Sequence, residues 1–385
     1  MRAEVVVVDG PDAVPVPDLV ARLRAALDGT GPALLPVPGG HAADRVLDAA
    51  RLDHPVGDGT ALLLPTSGST GTPKVVELPA AALLAGARAT HDRVGAPGRW
   101  LLALPLTHVA GWQVLVRGLL AAPPEQVPLA LPPGPFTAAA LADVLDGADP
   151  APRWASLVPT QLARVLDDEP ATRAAGALTV LVGGAAAPQR LLDRAAGARV
   201  RVVTTYGSTE TSGGCVYDGR PLDGVQVAVD GERLRIGGDV VAAGYRDGSP
   251  GFATEDGTRW FTTSDLARVD EDGRVEVLGR ADDVVVTGGE NVSPAAVERV
   301  LHAVPGVEAA VVVGVPDDEW GHAVVAVVAG SPVPGLDVLR AVVAERLGRA
   351  HAPRHLVVVD EVPLLGIGKP DRRAAAELAA RTLVR

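Results

Sequence analysis

The sequence predicts an α/β protein. It has a large N-terminal domain of helix-covered, mostly parallel sheets with a small β unit, and a small mobile C-terminal α+β domain. Three observations predict this. Short apolar runs alternate with helical patterns through the first two-thirds of the chain, the signature of strands connected by crossover helices. From about residue 222 the pattern changes to apolar–polar alternation broken by Asp-Gly turns, the hairpin signature. After "GRADD" (279–283) a last segment of about 100 residues mixes both patterns on a smaller scale. The expected boundaries are 1–279 for the large domain, 280–283 for a hinge and 284–385 for the small domain.

The elements follow in order. "ALLLP" (61–65) and "KVVEL" (74–78) read as strands, and Pro79 opens an Ala-rich helix to about Val94, proline being tolerated at a first helical position. "WASLVP" (154–159) reads as a strand leading into the helix "TQLARVLDD". "LTVLVGG" (178–184) is a strand, Pro188 opens a helix, and "VRVVTTYG" (200–207) is a strand again. "GVQVAVDGERLRIGG" and "RVDEDGRVEVLGR" predict hairpins. The last segment predicts a helix from Pro294, strands at "AAVVVGVP" and "AVVAVVAG", a helix over 336–347 and a strand at "HLVVVD". "AAPPEQVPLALPPGP" (121–135) is a Pro-rich loop.

Composition excludes several function classes. A net charge of −12 disfavours a nucleic-acid or membrane-surface role, because both use basic patches. Aromatics are 3% of residues, so the core must be built of Ala, Val and Leu. Cys215 is the only cysteine, which rules out an intrachain disulfide and a multi-cysteine zinc site and fits a reducing compartment. The N-terminal apolar run is too short for a signal peptide, and no apolar segment reaches the roughly 18–20 residues of a membrane span. The expectation is a cytoplasmic protein.

The stretch "TSGSTGTPK" (66–74) looks like a phosphate loop. It is not the P-loop of nucleotide triphosphatases, which needs G-x-x-x-x-G-K-[ST] running into a helix. Here Val75 follows Lys74, and the segment beyond reads as a strand. What remains is a hydroxyl- and glycine-rich loop between strands. Thr66, Ser67, Ser69 and Thr70 offer hydroxyls, and Gly68 and Gly71 let the backbone approach a polyphosphate closely. The plain alternative is an exposed turn. Lysine usage bears on the choice: among 35 basic residues only Lys74 and Lys369 are lysines. A compact, strongly hydrated ammonium suits a site where the planar guanidinium fork would not fit.

The nine-residue stretch resembles the phosphate-binding signature of the adenylate-forming superfamily, which includes acyl-CoA synthetases, peptide-synthetase adenylation domains and luciferases. Further segments carry the same resemblance, over roughly residues 60–375. "TTYGSTET" (204–211) resembles the adenine and magnesium segment. The resemblance assigns ATP to Thr205, Tyr206, Gly207, Ser208 and Thr209, and Mg²⁺ to Glu210 with Thr70. Tyr206 offers a flat face for a purine, and Glu210 a hard oxygen ligand. "LVGGAAAP" (181–188) resembles the loop along the adenine and acyl pocket, so Gly184 joins the ATP set and Gly183 the substrate set, the latter with Gly207 and Ser212. "TSDLARVDEDGRVEVLGRADD" (263–283) implies Asp265 on the ribose hydroxyls, Arg280 near ribose or phosphate and Asp282 as the hinge. The plain alternatives are a cap or turn acid for Asp265 and a surface ion pair for Arg280. In "VTGGENVSP" Gly288, Gly289 and Glu290 would line the coenzyme A channel, and "GIGKPDRRA" puts Lys369 at the catalytic lysine. His108, in "LPLTHVAGWQV", either faces the acyl pocket as a catalytic-site residue or is a satisfied histidine packed beside Trp112; Trp112 itself reads as wall or core.

The resemblance implies an AMP-forming acid–thiol ligase using ATP, Mg²⁺ and coenzyme A on a small-molecule carboxylic acid. It implies no nucleic-acid partner, no stable membrane association, and the option of a homodimer. "TETSGGCVYDGRPLDGV" (209–225) and the short chain resemble the actinobacterial branch that activates o-succinylbenzoate for menaquinone synthesis. Only about 65 residues precede the phosphate loop, so the front subdomain is expected to be shortened. Three alternatives stay open. One is a CoA ligase for another aromatic or fatty acid. Another is an adenylation enzyme loading a separate carrier protein, although no carrier domain follows residue 385. The third is a non-catalytic adenylate-binding protein, which would be expected to lack Lys369 or Glu210.

Overall fold

The computed structural model describes residues 2–66, 73–95, 97–123, 126–149, 151–365 and 369–383. The front of the chain builds a five-stranded sheet in the order Ala3–Val7, Ala33–Val37, Thr60–Thr66, Lys74–Pro79 and Gly244–Tyr245. The first three strands are parallel, and the last two pair antiparallel. Ala61 to Leu64 are all fully buried, because helices cover both sheet faces. That is why this strand reads as a continuous apolar run and not as an alternation. Helix Val16–Leu27 turns Leu19, Val20, Leu23 and Ala26 inward at helical spacing. Pro79 closes its strand and stands at the N-cap, so the helix Ala80–Val94 begins one residue later than expected.

A seven-stranded sheet forms the second layer. Its order is Arg220–Pro221, Gly213–Tyr217, Arg201–Ser208, Thr179–Val182, Trp154–Leu157, Trp100–Leu102 and Leu129–Ala130. Its strands from Arg201–Ser208 to Leu129–Ala130 are parallel, and the first two are antiparallel. Two tryptophans pack together in this sheet. Trp100 and Trp154 stack with centroids 5.8 Å apart. The buried Arg117 guanidinium lies over Trp100 and donates to the Tyr217 hydroxyl. Trp112 is fully buried, so it belongs to the core. The strand expected over 178–184 ends at Val182: Gly184 has φ +80°, and the chain turns there toward helix Gln189–Gly197.

The Asp-Gly hairpins fold as expected. Val225–Asp230 pairs with Arg233–Gly238 around Gly231, whose φ of +62° suits the turn. Strands Thr258–Val269, Phe252–Glu255 and Val275–Arg280 complete this antiparallel sheet. Cys215 is fully buried beside it, and burial pushes its thiol up to about 12.

Beyond Arg280 a short 3-10 turn, Ala281–Asp283, leads to the hairpin Val285–Thr287/Glu290–Val292. Helix Pro294–His302 follows, capped by the Ser293 hydroxyl, which accepts the Ala296 N–H. Strands Ala309–Asp317 and Gly321–Ala329 pair antiparallel, and His355–Val358 joins the second in parallel. Helices Leu336–Leu347 and Arg372–Leu383 pack on this sheet. Among the described residues no helix is long and apolar enough to cross a membrane.

Candidate active site

Residues far apart in sequence meet at the C-terminal ends of the central strands. Strand Arg201–Ser208 carries Thr205 and Tyr206 to a 3-10 turn, Thr209–Thr211, which holds Glu210. Close backbone packing shapes this turn. A side-chain carbon on Gly207 would collide with the Gly213 carbonyl, and one on Gly183 with Thr205 Oγ1. Ser212 sits at φ +54°, a left-handed conformation that turns the chain back into strand Gly213–Tyr217. Among the described residues the buried hydroxyls of Ser208 and Ser212 have no hydrogen-bond partner.

Two tyrosines organise the carboxylates. The Tyr206 hydroxyl donates to Asp265 Oδ2 at 2.6 Å, and the Tyr245 hydroxyl donates to Glu210 Oε1 at 2.8 Å. Burial first, and then the neighbouring carboxylate, raises each phenol above its ordinary value, so both remain protonated donors. Arg280 lies 4.0 Å from Asp265 and 3.6 Å from Asp282. Lys74 Nζ sits 4.8 Å from the centroid of the Tyr245 ring, and the Thr66 hydroxyl donates to the Lys74 carbonyl. Lys74, Tyr245, Glu210, Asp265, Tyr206 and Arg280 therefore form one polar cluster. Tyr245 was missed in the sequence. Its signal was composition: it is one of only three tyrosines, yet it sits outside every motif.

Lys369 reaches this cluster from the other side of residue 283. Burial, and then the positive charge of Arg280, hold its ammonium below the ordinary lysine value, while Asp265 and Glu210 pull the other way. His108 stands just before helix Val109–Leu119, half-buried, in β conformation. Burial and then the charge of Lys369 lower its pKa. His108 therefore lies close enough to Lys369 to feel its charge. The predicted coenzyme A residues are not part of the cluster. Gly288 (φ +57°), Gly289 (φ +83°) and Glu290 form an exposed hairpin tip, where the Gly288 N–H donates to the Trp320 carbonyl. Asp282 is exposed within its short turn. Ser67, Gly68, Ser69, Thr70 and Gly71 lie outside the described residues.

The carboxylate of Glu210 suits Mg²⁺. It is 9% exposed, accepts the Tyr245 hydroxyl on Oε1 and lies within the field of Lys369, so it is a hard oxygen donor held in place beside the cluster's cations. Mg²⁺ binds through one or two carboxylates and completes its shell with waters and phosphate oxygens. Among the described residues no group of three or more His, Cys, Asp and Glu could hold a metal ion, so a protein-only cage is not offered. A single hard oxygen donor fits an ion that arrives with a polyphosphate.

The chain resembles known proteins along almost its whole length. The family model "AMP-binding enzyme" matches residues 4–245, and "AMP-binding enzyme C-terminal domain" matches residues 296–369. A protein of Mycobacterium tuberculosis named probable 2-succinylbenzoate–CoA ligase is 46% identical over 365 residues, covering 92% of this chain and 94% of that one. The 2-succinylbenzoate–CoA ligase of Salmonella typhimurium is 38% identical over 324 residues, covering 80% and 67%. Among solved structures, Escherichia coli MenE with a bound phenylether-linked analogue of OSB-AMS superposes with a TM-score of 0.67 at 27% identity, covering 97% of this chain and 82% of that one. A lysine brought from the C-terminal segment onto a carboxylate-rich cleft, in a chain matched by both family models, leads to one conclusion: the protein belongs to the AMP-binding enzyme family.

Proposed function

We propose that the protein is an ATP-dependent acid–thiol ligase that converts o-succinylbenzoate, through its acyl-adenylate, into o-succinylbenzoyl-CoA. The observation that carries this reading is the approach of Lys369 to Glu210, Asp265, Arg280 and His108. The substrate assignment is supported by the names of the relatives that are 46% and 38% identical.

In the first step a carboxylate oxygen of the acid attacks the α-phosphorus of ATP. The bond to the β-phosphate oxygen breaks, and pyrophosphate leaves. Little side-chain covalent chemistry is required; alignment and charge stabilisation dominate. Asp265, which accepts the Tyr206 hydroxyl on Oδ2, would turn Oδ1, 4.0 Å from Arg280, to the ribose hydroxyls. Lys369 carries positive charge to where the carboxylate and α-phosphate meet. His108, kept neutral, lines the acyl side without adding a second cation. Lys74 and the hydroxyls of 66–70 grip the leaving pyrophosphate. Glu210, with Thr70, would hold Mg²⁺, which when bound neutralises phosphate charge.

In the second step the coenzyme A thiolate attacks the acyl carbon, the carbon–oxygen bond to the phosphate breaks, and AMP leaves. For this step the unit at 284–385 turns about Asp282, withdraws Lys369 and presents Gly288, Gly289 and Glu290 to the thiol. The experiment is release of AMP and pyrophosphate with o-succinylbenzoate and coenzyme A, against a panel of other acids. Equal turnover of a different aromatic or fatty acid would replace the substrate assignment, and transfer to a carrier protein but not to coenzyme A would replace the acceptor.

A further inference from the structure

Arg190 opens the helix Gln189–Gly197, directly downstream of the Gly183–Gly184 loop. Its two terminal nitrogens donate to the backbone carbonyls of Val307 and Glu308, on the far side of the 280–283 segment. The corner that presents these carbonyls is stiff. The Val307 N–H donates to the Val304 carbonyl at 3.2 Å, and the Glu308 N–H to the Ala329 carbonyl at 2.8 Å. Gly306, at φ +87°, packs against the backbone of Pro332, and Val307 is fully buried. The corner leads directly into strand Ala309–Asp317, whose Val312 carbonyl and N–H bind Arg372 and Glu298. Arg372 is itself bound to Glu298 and Asp283, three residues after Lys369. The corner and the lysine loop are thus tied to one small sheet, and whatever fixes the corner also fixes Lys369.

We infer that Arg190 is a positioning residue for adenylate formation. Its guanidinium fork clasps the Val307–Glu308 corner, and so holds Lys369 in the nucleotide cleft. The inference rests on the reading above, in which Lys369 serves the first half-reaction. Two adjacent carbonyls match the planar fork as a bidentate acceptor, a geometry a lysine cannot reproduce. The other charged or titratable groups that act here are Glu308, Arg194 and His302, and none is a carboxylate paired directly with the fork. The clasp therefore consists of hydrogen bonds that can be exchanged for water when the small unit turns for the second step.

The test compares Arg190→Ala and Arg190→Lys with the wild type. Loss of charge-assisted bonds that bias a two-state docking equilibrium should lower pyrophosphate exchange about tenfold in Arg190→Ala, with KM for ATP and acid unchanged. Thioester formation from supplied acyl-adenylate should be unaffected, and Arg190→Lys should recover only part of the exchange rate. A merely structural role would lower both half-reactions together, and that result overturns the inference. A second readout does not depend on the reaction. Spin labels at R173C and V338C, both exposed positions, report the separation of the two units, since Cys215 is buried. Arg190→Ala should broaden that distance distribution. If the wild type exchanged no pyrophosphate with any acid, the functional reading would fall, and an unchanged distribution would still refute the clasp.

Discussion

The Tyr245 hydroxyl donates to Glu210 at 2.8 Å, joining a residue from the strand Gly244–Tyr245 to the turn that ends strand Arg201–Ser208. The same ring lies under Lys74. Tyr245→Phe keeps the ring and removes the bond that orients the carboxylate. A lost bond to a charged group costs about 1.5–3 kcal/mol. We expect the Mg²⁺ concentration giving half-maximal pyrophosphate exchange to rise at least tenfold, with the melting temperature little changed. An unaltered Mg²⁺ dependence would remove Glu210 from the metal role.

The Lys369 ammonium is electrostatically coupled to Asp265, Glu210 and Arg280, and the proposed mechanism places its charge where the acid and the α-phosphate meet. Replacing it by alanine removes a charge that matters most in the transition state, worth about 3–4 kcal/mol by analogy with oxyanion donors. Adenylate formation should fall by two to three orders of magnitude, and thioester formation from supplied adenylate should persist. Stopped-flow measurement of each half-reaction separates the two; equal losses would contradict the assigned role.

The electrostatics of Lys369 also set a pH dependence. Burial and Arg280 lower its pKa, so the ammonium is lost at a lower pH than an ordinary lysine would lose it. The first half-reaction should therefore decline on the alkaline side as pH rises through that value. Arg280→Gln removes a lowering charge and should move this limb to higher pH, whereas Asp265→Asn should move it lower. Pyrophosphate exchange measured from pH 7 to 10.5 checks both directions (about the span below and up to a free lysine).

His91 titrates near 4 in the folded chain, against 6.5 for a free histidine, because it is buried and faces the Arg117 charge. The fold disfavours the protonated imidazole, so the unfolded chain binds the proton first as pH falls. Stability should drop between about pH 6.5 and 4 and then level off, by an amount on the order of 3 kcal/mol. His302, also near 4, adds to the same slope. Urea titrations at pH 7.5 and 4.5 test this, and His91→Gln should flatten part of the difference.

Much of this was legible in the sequence because each feature is local. The Asp-Gly hairpins, the run at 61–65 and the helix from Pro294 follow from period and turn chemistry alone. The front elements Ala3–Val7, Val16–Leu27, Ala33–Val37 and Ala42–Ala50 were not read, and neither was the last helix, Arg372–Leu383. Ala, Val and Leu dominate those segments and suit strand and helix alike, so tertiary packing decides between them. The motif residues Tyr206, Glu210, Asp265, Arg280 and Lys369 could be named in advance, but not that Tyr206 binds Asp265 or that Tyr245 completes the set. Those bonds span 59 and 35 residues, and no spacing rule encodes them. The Arg190 clasp was hidden for the same reason, being a contact to backbone carbonyls that carry no residue signature.

The single thiol, Cys215, is sealed in the core with a pKa near 12, and the chain has two lysines, both assigned to the cleft. A mixed anhydride of acid and AMP acylates exposed amines and thiolates readily, and guanidinium groups hardly at all. A chain that uses arginine at all but two of its 35 basic positions can therefore generate such a reagent with few side chains open to self-modification.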